Sequence, residues 1–134
     1  MSDAASVTPP SSFEEFWPHY VLAHQNPVNR ALHFVGLTLA MRLVKKGLKE
    51  RRIAPFILAP ITGYGLSWVG HFFFERNKPA SFSFPLWSLR GDFRMWSRIA
   101  QRKMGEELER ARAMEQARTA ERAYAADPAR TAAS

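Results

Sequence analysis

The sequence predicts an all-α membrane protein: a two-helix membrane hairpin with amphipathic interfacial helices before and after it, then a charged C-terminal helix. Three observations carry that expectation. Ile53–Phe74, IAPFILAPITGYGLSWVGHFFF, contains no Lys, Arg, Asp or Glu, and about 20 predominantly apolar residues can cross a bilayer. Upstream, Ala31–Met41 is apolar on nearly all sides of a helix. The charges concentrate towards the C-terminal half, so the mean hydropathy of −0.28 understates how apolar the middle is.

The length of 134 residues fits one domain. Residues 1–12 read as a disordered tail. Residues 13–104 read as a membrane domain with hydrophobic segments at about 28–44 and 53–75, and residues 105–134 as a polar helix fraying into a tail. The first dozen residues have neither a basic start nor an apolar core, so no signal peptide is expected. The implied placement is integral and multi-pass, in the cytoplasmic membrane of a bacterium or the endoplasmic reticulum of a eukaryote.

The first helix starts at Ser12, whose partner three residues on, Glu15, makes a capping box. Phe13, Phe16, Trp17, Tyr20 and His24 then share a face that suits a membrane interface. Pro18 is expected to kink this helix or divide it. Asn26-Pro27 opens the second helix as N-cap and first-turn proline. There Asn29, His33, Leu37, Ala40 and Val44 form a stripe, with Arg42, Lys45, Lys46 and Lys49 opposite. Its apolar part is too short to span unaided, so either the cations snorkel or the helix dips in and emerges. Spanning is favoured because the next segment then returns as a hairpin. In that segment Pro60 is expected to kink the helix, and Gly63 and Gly70 to admit a close neighbour. After Pro85, Leu86, Leu89, Phe93, Trp96 and Ala100 share a face beside a stripe of Arg90, Arg94, Arg98 and Arg102. That pattern suits lipid-headgroup contact by an interfacial helix; the plainer reading is a solvated face.

The absence of cysteine excludes disulfides, thiolate nucleophiles and iron–sulfur clusters, so a metal site must use His, carboxylate or water. The net charge of +7 fits anionic lipid. A nucleic-acid partner is not expected, since no recognised module is present and the aromatics lie on apolar faces. Within the long apolar stretch Tyr64, Ser67, Trp68, His71 and Glu75 make a polar stripe, which favours a protein-facing site over lipid. Each of His24, His33 and His71 alone reads best as a core histidine satisfied by a carbonyl. Together, with Asn29 and Glu75 flanking them, they read as a metal site if the helices converge. His19 points away and reads as a solvent or headgroup contact. A non-catalytic structural or regulatory membrane hairpin that binds anionic lipid is the rival reading.

Four blocks carry a resemblance: F-E-E-F-W-P-x-Y at Phe13–Tyr20, H-x-N-P-x-N-R-x-x-H-F-x-G at His24–Gly36, G-Y-G-x-x-W-x-G-H-F-F-F-E-x-N-x-P-A at Gly63–Ala80, and P-L-W-S-L-x-G-D-F-R-M-W at Pro85–Trp96. As a set they resemble a family of small membrane proteins whose characterised fungal members are iron(II)-dependent 2-hydroxy fatty acid dioxygenases of phytosphingosine degradation. The resemblance implies that His24, His33 and His71 are iron-associated and catalytic, with Glu75 in the same motif. It implies Fe(II) as cofactor, and a long-chain 2-hydroxy fatty acid and O2 as substrates. The acyl chain is then expected along the apolar helices, with its carboxylate near Arg30, Arg76 or Lys78. Fungal members are longer, and they carry a second histidine where this chain has Gln25.

Overall fold

Ser12 starts the first helix as expected: its hydroxyl accepts the Glu15 backbone N–H at 3.2 Å, while the Glu15 carboxylate accepts from Ser11. The structure is a computed structural model that describes residues 8–131. The tails expected at the two ends fall outside the described residues at 1–7 and 132–134. Helix α1 spans Phe13–Leu22, α2 Pro27–Glu50, α3 Ala54–Val69, α4 Pro85–Ala100, α5 Met104–Ala125 and α6 Pro128–Thr131. A π-helical turn at Gly70–Glu75 continues α3, and a 3-10 turn at Ala80–Phe82 precedes α4. No strand occurs among the described residues. The all-helical expectation holds, and α1 runs unbroken through Pro18.

The membrane part of that expectation does not hold. No helix among the described residues is long and apolar enough to cross a membrane. Helix α3 has 16 residues, about 24 Å at 1.5 Å per residue, against roughly 30 Å of hydrocarbon. The rest of its uncharged run winds as the π turn instead. Helix α2 has 24 residues but carries Asn29, Arg30 and His33 early and five charged residues from Arg42 to Glu50. A two-helix membrane hairpin, and with it integral multi-pass placement, is therefore overturned.

What α2 and α3 do form is an antiparallel pair. A methyl group placed on Gly36 would lie 3.2 Å from the Gly63 carbonyl oxygen, and one on Gly70 would collide with the Asn29 amide. Small residues thus set the spacing at the middle and at one end of this pair.

The aromatic face of α1 lies in a protein core, not at a bilayer interface. Phe13, Phe16, Trp17, Tyr20 and Val21 are buried with Met95 of α4 and with Met104, Leu108 and Ala111 of α5. Phe16 meets Phe84 and Trp87 at ring separations of 5.5 and 5.7 Å. Helix α5 is polar on most sides but docks by its first turns. Buried Glu107 accepts the Trp17 indole N–H at 2.9 Å and pairs with Arg98 at 3.0 Å.

Glu107→Ala leaves the Trp17 N–H buried without a partner, which costs about 2–3 kcal/mol. Glu14→Ala removes only an exposed pair with Arg94, a loss of less than about 1 kcal/mol. Urea midpoints of the two variants should separate accordingly.

Candidate metal centre

Three elements that are distant in sequence each deliver one histidine to the same point. His24 sits in the turn that ends α1, His33 lies on the second turn of α2, and His71 occupies the π turn. All three are buried. Their rings stand 4.5 to 4.9 Å apart, centroid to centroid, and nearly perpendicular in each pair. One ligand nitrogen from each lies within 4.8 Å of the others.

The tautomers follow from the partners. His24 Nδ1 lies 2.5 Å from the Tyr20 carbonyl oxygen and His33 Nδ1 lies 2.9 Å from that of Asn29. A carbonyl can only accept, so both Nδ1 atoms must carry the proton. His71 Nδ1 lies 2.7 Å from Asn77 Oδ1, and the Asn77 amide is oriented by donating its Nδ2 to the Ala23 carbonyl at 3.0 Å. His71 is therefore protonated on Nδ1 as well. Each Nε2 is left with a bare lone pair. His24 and His33 face each other through Nε2 atoms 3.2 Å apart, two acceptors with no proton between them. That contact is repulsive unless a cation is shared, and 3.2 Å suits two nitrogens each about 2.1 Å from one ion.

Electrostatics keep the set in its ligand form. Burial, then the neighbouring His33 and His71, hold His24 well below the usual 6.5. Burial brings His33 down to about 4. It also lowers His71, against the opposing pull of Asn77 and Glu75. All three are neutral at pH 7, which is the form that binds metal.

Around the triad lies a small chamber lined by Tyr20, Tyr64, Ser67, Trp68, Pro79, Ala80, Ser81, Ser88 and Asp92. Tyr20 stacks on His24 at 4.1 Å and donates its hydroxyl to Asp92. Burial pushes the Asp92 carboxyl up to about 6, with the Tyr20 hydrogen bond acting the other way. The Ser88 hydroxyl is buried with no hydrogen-bond partner among the described residues.

The other residues singled out in the sequence are placed differently. Glu75 accepts the Asn26 backbone N–H at the start of α2 and is outside the cluster. Asn29 serves His33 through its main-chain carbonyl; its side-chain amide is buried and has no hydrogen-bond partner among the described residues. Arg30 donates to the His24 and Gln25 carbonyls at 2.8 and 2.6 Å, so it braces the turn that holds His24. Arg76 and Lys78 are exposed, and neither they nor Arg30 lines the chamber. Arg90 lies 4.0 Å over the Phe13 ring, Arg94 pairs with Glu14, and Arg98 pairs with Glu107, while Arg102 is exposed. His19 lies beside Arg118. Gln25 accepts from Arg112 on α5 at 3.2 Å.

Sequence reasoning missed Tyr20, Asn77, Ser88 and Asp92. All four fall inside the blocks quoted above, and Tyr20 is one helical turn before His24. Tyr20 meets Asp92 across 72 residues and Asn77 reaches the Ala23 carbonyl across 54, contacts that spacing along one chain does not show.

Residues 10–104 match the family model described as 2-hydroxy-palmitic acid dioxygenase Mpo1-like. The chain belongs to the Mpo1-like family. No curated protein and no solved structure matches it. The Mpo1-like match contains all three histidines, Asn77 and Asp92, and it ends where α5 begins, at residue 104.

The Mpo1-like triad should hold one divalent ion per chain. His24→Ala, His33→Ala and His71→Ala should each reduce bound metal well below stoichiometric, and His19→Ala should not. Asn77→Ala, which frees the His71 ring, should weaken binding by about 10–100-fold. Metal analysis of the purified variants reads this directly.

A pH effect on metal-free protein follows from the same groups. Each imidazole is held neutral in the fold and gains a proton on unfolding, so the unfolded chain binds more protons below the ordinary value of 6.5. Stability should then fall as pH drops from 6.5 towards about 4, the His33 value. Asp92, raised to about 6, acts in the opposite sense, one group against three. Urea midpoints should decline between pH 7 and pH 5, and the slope should flatten in His33→Phe.

Proposed function

We propose that this chain is an Fe(II)-dependent dioxygenase that shortens long-chain 2-hydroxy fatty acids by one carbon. The observation that carries the reading is the set of three proton-free Nε2 atoms converging beside a largely apolar cavity, in a chain whose family is described as 2-hydroxy-palmitic acid dioxygenase-like. Imidazole suits iron among other first-row metals. Bound by His24, His33 and His71, Fe(II) would supply Lewis acidity and reactivity towards O2 with a 2-hydroxy acid whose carboxylate and hydroxyl can chelate.

The chain's own residues supply positioning. The Tyr20 and Asn29 carbonyls and the Asn77 amide fix the three rings and keep Nε2 free of protons. The Ser88 hydroxyl is an unused donor for a substrate oxygen, and Asp92 and Tyr20 stand beside the triad as a hydrogen-bonded pair. Among the described residues no Lys or Arg lines the chamber, so a metal held by the three imidazoles and neutral donors such as Ser88 would have to meet the acid's charge. In the reaction the C1–C2 bond breaks and C2 becomes the new carboxyl. The four electrons given up by the substrate reduce O2, and the balance closes with CO2 and water.

Iron-loaded protein in air should convert 2-hydroxypalmitic acid to the acid one carbon shorter, detected by mass spectrometry. Under argon, with His71→Ala, or with palmitic acid itself, no shortened acid should form. If iron-loaded, folded protein yields none from any chain length, the dioxygenase reading is wrong.

A further inference from the structure

Beside the triad a cavity of about 430 Å³ runs between α2, α3 and α4, a size within the roughly 300–1,000 Å³ of small-molecule sites. Its walls are graded. At one end stand His33, Ser67, Tyr64 and Asp92; beyond them the lining is Leu37, Ala40, Met41 and Val44 from α2, Ala59, Pro60 and Gly63 from α3, and Leu89 and Phe93 from α4. Among the described residues Asp92 is the sole charged residue of its lining, and it sits at the triad end. His33 belongs to both the chamber and the groove, so the two spaces join at a metal-binding side chain.

We infer that this groove is the acyl-chain site of the substrate and that the α2 residues Ala40 and Val44 gauge chain length. The inference rests on the dioxygenase reading for the identity of the headgroup, but not for the groove itself. His33, Leu37, Ala40 or Met41, and Val44 follow one face of α2 at three- or four-residue steps. From His33 to Val44 the helix rises about 16 Å, at 1.5 Å per residue. An extended chain with C–C bonds of about 1.5 Å advances roughly 1.3 Å per carbon, so the groove accommodates roughly a dozen carbons beyond the headgroup. A free fatty acid offers the required combination: one polar end for the chamber and a single unbranched tail for a narrow apolar slot.

The groove ends on the half-exposed Val44, and this makes the gauge testable apart from catalysis. Unhydroxylated fatty acids of eight to eighteen carbons (a range set by the roughly dozen-carbon groove) would be titrated against the full chain, by displacement of a polarity-sensitive fluorescent fatty acid. Affinity should rise roughly fourfold per added carbon, the value of one buried methylene, and then level off once the groove is full. Ala40→Phe blocks the slot about 10 Å from His33, so its plateau should come roughly five carbons earlier. Val44→Trp, on a half-exposed position that tolerates a large ring, should shorten it by a smaller step. Leu48→Trp, on the same helix but outside the groove, should match wild type. Metal content should be unchanged in all three. Identical chain-length profiles in wild type, Ala40→Phe and Val44→Trp would overturn the groove, whatever the protein catalyses. A shifted plateau without any conversion of 2-hydroxy acids would instead keep the groove and remove the dioxygenase reading.

Discussion

Everything around the triad depends on one constraint: three Nδ1 protons are held by acceptors, so three Nε2 lone pairs must face one another inside the protein. Two of the acceptors are main-chain carbonyls one helical turn before their histidine, Tyr20 for His24 and Asn29 for His33. Those bonds come with the helices and need no special side chain. The third cannot arise that way, because His71 lies in the π turn and points its Nδ1 towards the loop after it. Asn77 supplies the acceptor there, and its other amide atom is anchored on Ala23, next to His24. One side chain thus joins the two ends of the site.

The fold can be viewed as two helical units that meet at this point. Helices α1, α4 and α5 enclose the aromatic core and set the position of Tyr20, hence of His24 and Asp92. Helices α2 and α3 form the close-packed pair that presents His33 and His71. Two charged residues brace the junction from outside the cluster: Arg30 of α2 holds the carbonyls of the His24 turn, and Glu75 of the π turn holds the N–H of Asn26 at the start of α2. Their charge, which in the sequence suggests ligand or substrate contact, is used to satisfy exposed backbone groups where helices begin and end.

The helical character and the convergent histidines were legible for physical reasons. Helix caps at Ser12 and Asn26 act over three residues, and the histidines lie on apolar faces where a lone imidazole needs a partner. Membrane crossing was misread because a run without formal charge measures composition, not continuity. Ile53–Phe74 changes helix type at Gly70, and the polar stripe through Ser67 and His71 faces protein. Likewise the aromatic face of α1 reads the same whether it meets headgroups or α4 and α5, since either environment buries rings. The arginines of α4 were ambiguous for the same reason: Arg94 and Arg98 find carboxylates eighty and nine residues away along the chain, contacts no local pattern encodes.

The π turn explains why His71 can belong to the site at all. Its wider winding inserts an extra residue per turn, a conformation that is rare and concentrated at functional sites. Gly70 there is pressed against the Asn29 side chain so closely that no β-carbon fits, while His71 turns inward and Phe72, Phe73 and Phe74 remain exposed. A regular α-helix, with fewer residues per turn, would present the same residues at a different phase. The buried Asn29 amide, without a partner among the described residues, and the two facing lone pairs of His24 and His33 both destabilise this junction. A metal bound by the three imidazoles would offset the lone-pair repulsion and tie α1, α2 and the π turn together, so its binding energy would be folding energy for the junction as well.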